Sequence, residues 1–185
     1  LFPVMCDCSM VFLSPRWSKL KYQEYYSKLY DEVYRLELKS DVGVVGVEKN
    51  AEEILLRLKR KLSFNSLMNI LDVGSGYGIA LNHYKKKIPK AKIYGIESSI
   101  EGKRILKDEI GRVLVTDDFD NEQWANDYES NFNLIIMPHV FEHLLNPNEA
   151  LVKLKFILKQ DGIIYLAVPD MLHLRIKLRD YNNWI

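Results

Sequence analysis

The chain has 185 residues, 48% of them hydrophobic and 28% charged, the balance of a soluble globular domain with a proper core. Its formal net charge of +1 sets up no global field that would recruit nucleic acid or an anionic membrane surface. No apolar run approaches the ~20 residues needed to cross a bilayer, so neither nucleic acid nor membrane is expected as a partner.

Residues 1–14 are apolar and read as irregular chain, with Pro3 and the following Pro15 as breakers. The opening "LFPVMCDCSM" lacks the basic n-region and long apolar run of a signal peptide, and without an initiator Met it reads as excised from something longer. Cys6 and Cys8 are the only cysteines and stand too close to bridge each other, which fits a reducing, cytoplasmic setting. From about Trp17 to Leu38, Leu20, Tyr25, Leu29, Val33 and Leu36 recur at helical steps and predict a tyrosine-rich helix. "SDVGVVG" predicts a hinge, and a second amphipathic helix follows from about Glu48 to Leu62. The basic clusters at residues 57–61 and 85–87 read as solvated helix faces.

From Asn69 the texture changes to alternation. "NILDVG", "KIYGIE", "RVLVTD", "FNLIIMP" and "GIIYLAVP" predict strands, with helices near 78–87, 99–109, 121–128 and 146–160 between them. That order predicts βαβ units and a parallel sheet covered on both faces, an α/β, Rossmann-like doubly wound fold. Asn146 can cap the last helix, Pro147 suits its first position, and Glu149 sits where a capping box wants an acid. Gly162 is expected to close it with a positive φ.

The first predicted strand runs into Asp72-Val73-Gly74-Ser75-Gly76-Tyr77-Gly78. Glycines there allow a sharp turn and a close backbone approach to a ligand. The second strand ends at Glu97, whose carboxylate can accept both hydroxyls of a ribose. Together they predict a nucleoside-containing cofactor. The third glycine follows the second by two residues rather than three, which disfavours a dinucleotide; Asp72 suits an ammonium better than a pyrophosphate; and no Gly-Lys-Ser/Thr follows to make a P-loop.

"ILDVGSGYG", "IYGIESS", "VLVTDD", "FNLIIMPHVFEHLLNPNEAL" and "LKQDGIIYLAVPD" resemble, in that order, the successive motifs of class I S-adenosylmethionine-dependent methyltransferases. The branch most resembled methylates small molecules and carries a Glu-His pair after the fourth strand. The resemblance covers roughly residues 69–170. It implies that Asp72 and the Gly74, Ser75, Gly76, Gly78 loop hold the methionine end of S-adenosylmethionine, and that Glu97, with Ser98 beside it, takes the ribose. It implies that Asp117, in competition with Asp118, faces the adenine amino group; the pair also reads as an ordinary helix cap. Met137 and Pro138 would line the methyl-transfer side.

His139, Glu142 and His143 follow the fourth strand. If the segment is helical, they share one face, and His143 or His139 can act as general base. Metal ligation and a purely structural Glu-His pair are the other readings; the spacing is not that of a persuasive metal site, and none is assigned. In the resembled family, tyrosines after a Cys-x-x-Cys ribbon form a lid over the cofactor. Here the cysteines do not match that spacing, and Tyr25, Tyr26 and Tyr30 read either as lid residues or as ordinary packing.

The expected organisation is an N-terminal irregular segment and helical lid, 1–62, and a cofactor-binding core, 63–185, lacking the family's last strands. That leaves an open sheet edge, which invites homodimer formation. The expected function is S-adenosylmethionine-dependent methylation of a small-molecule acceptor such as a sugar or secondary metabolite. A catalytically inactive cofactor-binding scaffold or partner protein is the alternative.

Overall fold

The computed structural model describes the chain except residues 1, 6, 8–10, 34–40, 65–66, 111–118, 120–122 and 170–185. The expected strand at residues 112–117, the aspartates Asp117 and Asp118, and both cysteines lie outside the described residues.

Two short strands, β1 (Phe2–Met5) and β2 (Val11–Ser14), pair antiparallel where the sequence suggests irregular chain. Four residues each is too short for a local periodicity, so only the pairing reveals them. Ser18 caps the next helix, its hydroxyl accepting from the Lys21 N–H at 3.3 Å. That helix, α1 (Lys19–Glu24), runs through a π-helical turn (Tyr25–Leu29) into α2 (Tyr30–Val33).

Helix α3 (Asp41–Leu58) begins earlier than expected and absorbs most of the "SDVGVVG" hinge. A helical glycine costs only about 1 kcal/mol relative to alanine. Ala51, Ile54, Leu55 and Leu58, buried at helical spacing further along, hold the rest of the helix in place and let it propagate backwards.

The core sheet contains β3 (Asn69–Val73), β4 (Lys92–Ile96), β5 (Phe132–Pro138) and β6 (Leu158–Ala167), in the order β4-β3-β5-β6 with every neighbouring pair parallel. Helices α4 (Ile79–Lys87), α5 (Ile100–Ile110), α6 (Gln123–Asn126) and α7 (Pro147–Ile157) fill the connections. Side chains alternate across a strand, so each strand feeds two layers. Ile70, Leu134 and Ile136 pack with α3 and α4 through Ile54, Leu81 and Tyr84. Leu71, Val73, Ile135 and Met137 pack with α6 and α7 through Trp124, Leu154 and Ile157. Both faces are apolar, the condition for a buried parallel sheet. The chain passes from β3 outward to β4 and then returns to the other side of β3 with β5, which puts the topological switch at the tip of β3.

Helix α7 stops at Ile157, short of the expected end. Pro147 takes the first position, but the Asn146 side chain makes no capping bond. Gly162 is not a cap; it lies inside β6, where the register shifts against β5. A Cβ there would stand 2.6 Å from Leu158 Cγ, so close packing rather than a left-handed φ demands the glycine.

Candidate functional site

The turn after β3 is built by three left-handed glycines, Gly74, Gly76 and Gly78, at φ 79, 58 and 77°. The N–H groups of Gly74 and Ser75 donate to the Ile96 carbonyl at 2.8 and 3.0 Å, tying the turn to the end of β4. The Ser75 hydroxyl donates back to the Asp72 carbonyl at 2.7 Å. A Cβ on Gly74 would collide with the Val140 side chain, so the turn also sits hard against the segment after β5.

Glu97 is 2% exposed and turned into the mouth of this turn. Its Oε2 accepts from the Gly76 N–H at 2.6 Å and its Oε1 from the Ser99 N–H at 2.8 Å. Ser99 Oγ in turn accepts from the Gly102 N–H at 3.0 Å. Gly102 brings α5 so near that a Cβ would stand 2.7 Å from Glu97 Cγ. Asp72 is also buried, on the face toward α4; loss of water, reinforced by the Glu97 charge, pushes its carboxyl up to about 8. Two acidic side chains thus lie buried at the base of the turn, Glu97 held by two backbone N–H groups, a setting that can receive hydroxyls and an ammonium.

In front of the turn is a small cavity of about 70 Å³. Val73, Gly74, Ile96 and Ser98 form its floor, Phe119, Val140 and Leu144 its sides, and Tyr22, Gln23 and Tyr26 its roof. Small-molecule sites run to roughly 300–1,000 Å³, so with the tyrosine helix over it this cavity is smaller than a typical ligand site. The roof is an aromatic row: the Tyr22 and Tyr26 ring centroids are 4.5 Å apart and those of Tyr26 and Tyr30 5.3 Å. Arg16 Nη1 pins this N-terminal segment to the core through the Leu145 carbonyl at 2.7 Å.

The segment after β5 is looser. The helix that would align His139, Glu142 and His143 reduces to one 3₁₀ turn, Phe141–His143, and His139 adopts a left-handed φ of 55°. Its N–H donates to the Ala167 carbonyl at 2.8 Å, extending the β5–β6 ladder. Glu142 Oε1 still lies between the imidazoles, 3.6 Å from His139 Nδ1 and 4.0 Å from His143 Nε2. The Tyr26 ring lies 5.7 Å from that of His143, between centroids. Partial burial holds His143 below the usual histidine range; Glu142 opposes this and His139 adds to it. Among the described residues, no group of three His, Cys, Asp or Glu side chains is placed to hold a metal.

The structure therefore gathers Asp72, Gly74, Ser75, Gly76, Gly78, Glu97 and Ser98 at the tips of β3 and β4, and His139, Glu142 and His143 at the tip of β5. Met137 is wholly buried in the core beneath them and does not line the cavity. Of the three candidate lid tyrosines, Tyr26 lines the cavity, and Tyr25 and Tyr30 pack against it. Sequence reasoning misses Tyr22, Gln23, Ser99, Gly102, Phe119, Val140 and Leu144. Of these, only Gly102, an isolated glycine in a helical pattern, carries a local signal.

A family model described as a methyltransferase domain matches residues 47–184. No curated protein matches the chain in sequence. Among solved structures, a protein of Methanococcus maripaludis assigned as an S-adenosyl-L-methionine-dependent methyltransferase is 19% identical, with 83% of this chain and 66% of that chain covered at a TM-score of 0.57. The CurJ carbon methyltransferase is 14% identical, with 70% and 37% covered at a TM-score of 0.56. Coclaurine N-methyltransferase, solved with N-methylheliamine and S-adenosylhomocysteine, is 18% identical, with 80% and 43% covered at 0.52. At these identities the likeness is one of fold. The chain spans between 37% and 66% of the length of these three structures.

Proposed function

The chain belongs to the methyltransferase-domain family, and from that premise we propose that it transfers the methyl group of S-adenosylmethionine to a small-molecule acceptor. The observation that carries this reading is the Glu97 carboxylate, buried at the end of β4 and hydrogen-bonded to the Gly76 N–H of the glycine turn. An acid in that place, with two parallel strand tips beneath it, is equipped to take vicinal hydroxyls by exchanging its backbone donors for ligand donors.

Asp72 meets the amino end of the methionine moiety. Its carboxyl, held protonated near neutrality by burial and by Glu97, ionises when a cation replaces the lost water. The glycine turn receives the carboxylate end, with the Gly76 N–H released to it as Glu97 turns to the ribose, and Ser98 lies beside the ribose. By the same reading Asp117 or Asp118 faces the adenine amino group, and Met137 supports the floor from below. Residues 1–62 act as the lid on a core of 63–185, with Tyr22 and Tyr26 above the cavity.

The sulfonium supplies an electrophilic methyl group that a nucleophile displaces in line. The chain's part is alignment and, for a hydroxyl or acidic C–H acceptor, removal of a proton. His143 is the base: its depressed proton affinity keeps the imidazole neutral near pH 7, and Glu142 steadies the imidazolium that forms. His139 and Glu142 complete the acceptor side. A sugar or other secondary metabolite with a free hydroxyl fits this exposed, polar rim.

Calorimetric titration with S-adenosylhomocysteine tests the reading. Glu97→Ala should weaken binding by about 100-fold or more, the loss of two charge-assisted hydrogen bonds. Unchanged affinity in that variant rejects the site.

A further inference from the structure

Lys153 lies near the middle of α7, whose Ala150, Leu154 and Ile157 are sunk in the core, so its backbone is rigidly held. Its ammonium does not simply extend into water. Nζ donates to the Phe119 carbonyl at 2.6 Å and stands 5.1 Å from the centre of the Phe119 ring and 6.0 Å from that of Trp124. The two rings are 5.8 Å apart and both residues are 8% exposed. Trp124 Nε1 is buried with no hydrogen-bond partner among the described residues, so ring contacts and the lysine hold the indole there. Phe119 lies in the connection between α5 and α6, outside any regular element, yet it forms a wall of the cavity.

A loop residue that must present a flat apolar face needs an anchor from a rigid element. A cation over two aromatic faces, bonded to the carbonyl of one of them, fixes both the ring and the carbonyl of that residue. We propose that Lys153 is a positioning residue: acting through Phe119, it sets the wall against which the planar heteroaromatic base of the bound nucleoside rests. This rests on the cofactor reading above. Lys153 does not itself line the cavity, so its effect falls on nucleoside affinity through Phe119.

The test is a double-mutant cycle read by titration with S-adenosylhomocysteine. Lys153→Met is expected to weaken binding about tenfold, and Lys153→Arg, which keeps cation and donor, to stay within about threefold of the parent chain. Phe119→Ala is expected to weaken binding at least as much as Lys153→Met, and the double variant to be no weaker than Phe119→Ala alone, because the lysine acts through that ring. If Lys153→Met does not fold, Lys153→Gln takes its place in the cycle with the same expectation. Affinity within twofold of the parent in the lysine variant, or additive losses in the double variant, overturns the proposal. Absence of binding by the parent chain overturns the cofactor reading itself and this proposal with it, a result the variants alone cannot produce.

Discussion

The tips of β3 and β4 and the tip of β5 lie side by side on one sheet and are built in opposite ways. At the first, the functional groups are backbone N–H groups and two buried carboxyls, and Glu97 and Ser99 are 2% and 0% exposed. Gly74, Ser75, Gly76 and Gly78 are each held there by a backbone hydrogen bond, and Gly74 also by a contact that excludes a side chain. At the second, the His139 and His143 side chains are 63% and 43% exposed, and the distances to Glu142 lie beyond good hydrogen-bond geometry. The difference teaches a division of labour. On the function proposed above, the part of the site that meets one unvarying ligand is set by backbone and buried charge, whereas the part that meets the acceptor is left to side chains with rotameric freedom.

The largest effect should come from disturbing the locked tip. Gly74→Ala must place a Cβ against Val140 while holding a φ of 79°. We expect a loss of about 2–4 kcal/mol in stability and no detectable binding of S-adenosylhomocysteine, measured by thermal unfolding and calorimetry. A normal melting temperature would mean that Val140 yields and that the two tips do not differ in rigidity.

The same tip carries the pH dependence of Asp72. Its folded carboxyl titrates at about 8 against an ordinary value of 3.8, so the folded state holds an extra proton between those values. That contribution to stability is complete below the lower value and is lost as pH rises through the upper one, at up to about 1.4 kcal/mol per pH unit. Asp72→Asn should remove this slope from a series of unfolding curves. Ligand binding at pH 7 should expel close to one proton, visible as a buffer-dependent heat that vanishes in Asp72→Asn. Equal heats in phosphate and Tris would place the acid away from the ligand's ammonium.

The locked tip was also the legible one. A turn that needs positive φ at three places can hardly be written without glycine, so Gly74, Gly76 and Gly78 announce it, and Glu97 stands where the second apolar run must end. Gly162 shows the limit of that reasoning. A helix cap and a strand irregularity both call for glycine, and only the pairing of β6 with β5 tells them apart. Phe119 and Lys153 owe their places to contacts between elements distant in sequence, so nothing local points to their roles at the site. The hinge at residues 41–46 misleads because burial further along α3 outweighs the weak preference of two glycines. Likewise the pattern His139-Val140-Phe141-Glu142-His143 fits a helix, but the β5–β6 ladder continues through the His139 N–H and leaves room for only a 3₁₀ turn.

The smallest change in stability should come from the open tip. His139 carries a φ of 55°, a conformation that favours glycine, so His139→Gly relieves strain while adding freedom to the unfolded chain. We expect a net shift within about 0.5 kcal/mol of zero, in contrast to the penalty for one methyl group at Gly74. The same substitution removes a neighbouring imidazole that lowers the proton affinity of His143. The His143 imidazole should then titrate at higher pH, followed through its ring C–H resonances, while S-adenosylhomocysteine binding stays within twofold of the parent. A large loss of stability would show that the β5 tip is held as firmly as the glycine turn, and an unmoved titration would mean that the two imidazoles do not sense each other. With both outcomes as expected, the tip of β5 is a place where charge can be retuned with little effect on the fold, which the glycine turn does not permit.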